Sequence, residues 1–106
     1  MNQPSLFSES ELEQAWRDFH AEHPDVFAMF ERFTLEALAG LGTKRLGARM
    51  VWERMRWETT VATNLAGAAW KLNDHHVPFY ARLFMERHPL RGRVFETRRR
   101  ALEHRT

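Results

Sequence analysis

Cysteine is absent from this 106-residue chain. That excludes disulfide staples and thiolate metal sites and points to a reducing compartment. No apolar run approaches the roughly 20 residues needed to span a bilayer. The opening MNQPSLFSESELEQ lacks the basic start and apolar middle of a signal peptide. The expectation is a soluble cytoplasmic protein with no membrane partner. No glycine-rich phosphate loop is present, since Gly40, Gly42 and Gly47 read as caps and turns. The serines Ser5, Ser8 and Ser10 all fall at the N-terminus, so neither serine nor cysteine is placed as a nucleophile. There is no internal repeat.

Against these absences stand a hydrophobic fraction of 43%, four Trp and eight Phe. That is enough for a core, and the length suits one compact domain over 1–106. Residues 1–7 and 101–106 are expected to be mobile. Charge is split by position. Residues 1–42 hold eight Asp/Glu against Arg17 and Arg32, a net of −6, while 43–106 hold fourteen Lys/Arg against six acids, a net of +8. A polyanion such as nucleic acid is one partner for the basic part. The plainer alternative is that the two halves attract each other within the fold.

Helical spacing organises most of the chain. Ser8 and Glu11 form a capping-box pair ahead of Leu12, Ala15, Trp16 and Phe19. His23-Pro24 ends that helix. Pro24 and Asp25 open a second, whose wide apolar face runs from Val26 to Leu41 before Gly40 and Gly42 stop it. After Thr43-Lys44-Arg45, a third helix is expected over 46–58, with Gly47 as N-cap and Met50, Val51 and Met55 toward the core. Trp16 and Trp57 are the tryptophans expected inside. The β-branched run Thr59–Thr63 then reads as a strand, 64–68 as a loop, for which a helix is the alternative, and 69–72 as a returning strand. A helix over 77–87 and a basic final helix from Leu90 to about His104 complete the chain.

The predicted fold is therefore mainly α with a small β-hairpin, similar to a winged helix-turn-helix. In that architecture the helix after the turn enters the major groove and the hairpin touches backbone or minor groove. Arg49, Glu53 and Arg56 become candidates for base edges, because an arginine fork matches two guanine acceptors at once. Lys44 and Arg45 fall to phosphates, Lys71 and Asn73 to the wing, and Arg98, Arg99 and Arg100 to further charge neutralisation. Arg49 and Glu53, four apart, can equally pair on a solvated helix face.

Glu53, Arg54, Arg56 and Trp57, then Lys71 and Asn73, then Tyr80-Ala81-Arg82 and Pro89, form an E-R-x-R-W … K-x-N … Y-A-R … P pattern. It resembles a family of small proteins encoded by phages and prophages, over about residues 18–98. The resemblance implies a mobile-element protein, cytoplasmic in a bacterial host, serving as a regulator or an anti-defence factor. It assigns no catalytic residue.

The other constellations are weaker. The six histidines include His20/His23 and His75-His76, yet no HExxH or paired ligand spacing appears; no metal or cofactor is expected. Asp74 beside a histidine could do general acid/base work, but adjacent Asp-His is common by chance, and no enzyme is expected. Tyr80 could stack on a base and Arg82 hold a phosphate, although a core-edge ring and a structural ion pair are the favoured roles. The leading expectation is a non-catalytic double-stranded DNA-binding protein. The alternative is a protein-binding inhibitor of a host nucleic-acid or defence enzyme, with Trp70 as a partner or dimer contact. A homodimer is a third arrangement.

Overall fold

The computed structural model describes residues 8–66 and 72–96. Four helices make up its frame: α1 (Glu9–Glu22), α2 (Pro24–Leu41), α3 (Ala48–Ala66) and α4 (Val77–Arg87).

Local chemistry explains their ends. The Ser8 hydroxyl accepts from the Glu11 N–H at 3.2 Å, and the Ser8 N–H donates to Glu11 Oε1 at 2.8 Å. Two free donors of the first turn of α1 are thereby satisfied reciprocally. Pro24 opens α2 as its first residue, where its missing N–H costs nothing. At the other end Gly42 takes φ 65°, and its N–H returns to the Leu38 carbonyl at 3.0 Å. Ahead of α4, Asn73 Oδ1 accepts from the His75 N–H at 2.9 Å, fixing a single 3-10 turn over Asp74–His76. After α4, Pro89–Arg91 form another such turn, and Gly92 at φ 71° reverses the chain. Val94 and Phe95 then fold back into the core.

The helices pack around fully buried Phe30, Trp52, Met55, Tyr80, Phe84 and Phe95. Phe30 joins three of these rings, with centroids 6.4 Å from Trp52, 6.0 Å from Tyr80 and 5.5 Å from Phe95. Edge and tilted arrangements of this kind add to what burial alone contributes. Trp16 brings α1 onto α4, stacked on Phe79 at 5.5 Å and edge-on to Tyr80 at 5.5 Å. His88 and Glu31, 2.6 Å apart, tie the end of α4 to α2.

The hairpin expectation is overturned. The described residues contain no strand, and α3 runs straight through Thr59–Thr63 to Ala66. The fold of the described residues is all-helical, and the winged-helix assignment does not hold. The Thr59 hydroxyl donates to the carbonyls of Met55 at 3.0 Å and Arg56 at 3.1 Å. It thus closes on its own helix, a way threonine adapts to helical backbone. The β preference of such a run is a weak prior that packing overrides. The returning strand expected over 69–72 lies, except for Leu72, outside the described residues.

Three further expectations change. Trp57 is 67% exposed while Trp52 is at 0%, because the inward arc of α3 is Val51, Trp52, Met55 and Thr59, and residue 57 lies opposite. Met50 likewise faces out. The final helix expected from Leu90 does not form over the described residues: Gly92 breaks the chain direction, Leu90 is fully exposed and 92–96 is irregular. No helix among the described residues is long and apolar enough to cross a membrane.

Burial has a pH consequence. It lowers the pKa of His20 and His76 below their ordinary 6.5, with Arg87 adding to the shift at His20 and His75 to that at His76. The fold thus favours the neutral form of both imidazoles, whereas the unfolded chain takes up protons near 6.5. Their contribution to stability is complete above that pH and is lost as the pH falls toward their folded values. Calorimetric melting is expected to give a lower Tm at about pH 5 than at about pH 7.5, with a smaller difference in His76→Gln.

Candidate nucleic-acid interface

The arginines assigned to base edges are held by the protein itself. On the outward flank of α3, Arg56 donates to Glu53 at 2.9 Å, to the Leu72 carbonyl at 3.4 Å and, closely, to Asp74. Arg49 reaches the same Asp74 at 3.5 Å and Glu53 at 3.9 Å. Two guanidinium and two carboxylate groups therefore form one network that fastens the turn before α4 to α3. The hydrogen bond from Arg56 is the first cause of an Asp74 carboxyl held below the usual carboxylate range, and Asp74 in return raises Arg56. Asn73, assigned to the wing, uses its side-chain oxygen to cap the same turn. These contacts give Arg56 and Asn73 structural employment, while Arg49, 65% exposed and no nearer than 3.5 Å to an acid, is held loosely. Lys71, Arg98, Arg99, Arg100 and Trp70 lie outside the described residues.

Lys44 and Arg45 stand differently. They sit exposed in the turn between α2 and α3. The Thr43 hydroxyl shapes that turn by accepting from the Arg45 N–H at 3.3 Å and donating to the Arg45 carbonyl at 3.2 Å. The Leu46 N–H donates to the Val94 carbonyl at 2.9 Å. This bond sets Leu46 beside Val94, so that Arg45 and Arg93, both exposed, flank the joined pair, with Lys44 and Arg91 the next exposed cations along the two segments. Glu96 is the nearby acid, a loose 3.9 Å from Arg45. At such exposure a pair of that length contributes little, so the positive charge stays available to a phosphate.

Arg91 and Arg93 were missed by sequence reasoning, which placed them inside a helix. The available signal was the glycine between them, Arg91-Gly92-Arg93, at a point where the chain must turn. Tyr80 is a core ring at 0% exposure, with its phenol pushed well above its ordinary pKa by burial. It has no open face for a base. Arg82 lies over the Phe79 ring at 4.9 Å and pairs with Glu9 at 3.7 Å. Among the described residues, His, Asp and Glu do not gather in threes that could hold a metal ion.

Searches of family models, of characterised proteins and of solved structures find no match to this chain.

Proposed function

We propose that this protein is a non-catalytic binder of double-stranded DNA, of phage or prophage type and cytoplasmic in its host, with a regulatory role. It grips phosphates through the basic end made by Lys44, Arg45, Arg91 and Arg93. The observation that carries the reading is the Leu46–Val94 hydrogen bond, which joins two exposed basic segments far apart in sequence. The +8 charge of residues 43–106 supports it, and so do Arg98, Arg99 and Arg100, which follow directly along the chain. Contacts of this kind neutralise phosphates and release counterions, so affinity falls steeply with salt. α3 acts as a structural helix, because Arg56 is engaged by Glu53 and Asp74 and Arg54 by Glu58.

The experiment is fluorescence anisotropy of random-sequence duplex DNA titrated with the full chain at about 50 and 200 mM salt. Micromolar binding at the lower salt that collapses at the higher is expected. Absence of binding at the lower salt defeats the proposal.

A further inference from the structure

The outer face of α3 carries a feature that DNA binding does not use. Met50, Trp57 and Val61 are 49%, 67% and 39% exposed. Spacings of seven and four place them on one line down the helix, about 16 Å long at 1.5 Å per residue. Three of the large hydrophobic residues left exposed among the described ones lie on this line. Isolated exposed apolar residues are ordinary, whereas an aligned set centred on a tryptophan has the form of an interaction surface.

We propose that this face pairs with the same face of a second copy of the chain, the two α3 helices antiparallel about a two-fold axis near residue 56. Charge complementarity selects the occupant. Arg54 and Glu58 border the stripe on one edge, with side chains 52% and 46% exposed and 3.3 Å apart. They lie symmetrically about position 56. An antiparallel two-fold therefore sets Arg54 of each copy across from Glu58 of the other, twice over. The same axis brings the Trp57 side chains of the two copies together and Met50 beside Val61 of the other copy. A two-fold interface must be self-complementary in this way, each residue i meeting j and each j meeting i. The apolar line is short, so the dimer is a weak one in the micromolar range.

Sedimentation velocity on the full chain, over about a hundredfold range of concentration reaching the high micromolar, tests the pairing. The expected result is a shift from monomer toward dimer as concentration rises. Trp57→Glu is expected to stay monomeric at the top concentration with unchanged far-UV circular dichroism, since residue 57 supports no core contact. Glu58→Arg, which sets like positive charges against each other across the axis, should weaken the dimer at least about tenfold, and Arg54→Glu/Glu58→Arg should restore it. Acrylamide quenching of Trp57, measured against Trp57→Phe, identifies the alternatives. A wild-type monomer with Trp57 open to quencher means that the face awaits a different protein; a monomer with Trp57 shielded means that the chain covers it itself. Either result overturns the proposal, as does a Trp57→Glu variant that still dimerises.

Discussion

Trp52→Ala is expected to cost about 3–5 kcal/mol, the range for removing a fully buried large aromatic side chain. A domain of this size has roughly 5–15 kcal/mol of total stability. The Tm should fall by more than about 10 °C. Trp52 is at 0% exposure, edge-on to Phe30 and tilted on Tyr80 at 5.8 Å. Truncation leaves a cavity where α2, α3 and α4 meet. Trp57→Ala, five residues on, should change stability by less than about 0.5 kcal/mol in the dilute monomer. Thermal melts of the two variants by circular dichroism decide the rotation of α3 about its axis. A larger loss from Trp57 than from Trp52 would mean that the helix presents its other side to the core.

The second large effect concerns binding. Lys44→Ala/Arg45→Ala/Arg91→Ala/Arg93→Ala is expected to weaken duplex binding by about tenfold to a hundredfold at low salt. It should also flatten the dependence of log affinity on log salt by up to about 3.6, at roughly 0.9 for each phosphate no longer neutralised. Its Tm should change little, because none of the four residues is buried. Arg49→Ala and Arg56→Ala should do the reverse. Each releases part of the network around Asp74. The loss for Arg56 is about 1 kcal/mol, discounted for the partial exposure of both partners, and DNA affinity stays near that of the parent. From residue pattern alone, Arg49 and Arg56 are the arginines expected to lose binding while leaving stability intact. Under the proposed function those roles are exchanged.

That exchange shows where the sequence is legible and where it is not. Ser8 with Glu11, Pro24, Gly42 and His88-Pro89 are local signals, acting within a few residues. The boundaries of α1, α2 and α4 follow from them. The apolar face expected from Val26 to Leu41 holds as far as Leu38, while Leu41 is exposed. α3 is harder. Thr59, Thr60, Val61 and Thr63 carry a strand-like preference, yet the helix continues through them to Ala66 with Thr60 and Val61 exposed. Once the helix runs on, its inward arc is set and Trp57 turns to solvent. The engagement of Arg49 and Arg56 depends on Asp74, 25 and 18 residues away. The joining of the Lys44-Arg45 segment to the Arg91–Arg93 segment depends on one backbone bond between Leu46 and Val94. Neither tie leaves a trace in local spacing. Residue pattern alone therefore directs attention to the arginines of α3, whereas the long-range ties leave Lys44, Arg45, Arg91 and Arg93 as the more available charges.

The central claim is that DNA meets the basic end of the molecule and not α3. Backbone amide shifts of the isotopically labelled protein, followed by NMR as a short duplex is added at low salt, test this most directly. Perturbations are expected to concentrate at Thr43–Gly47 and Leu90–Glu96, with Arg49, Glu53 and Arg56 nearly unmoved. Perturbations centred on Arg49, Glu53 and Arg56 would contradict the claim and return α3 to the groove.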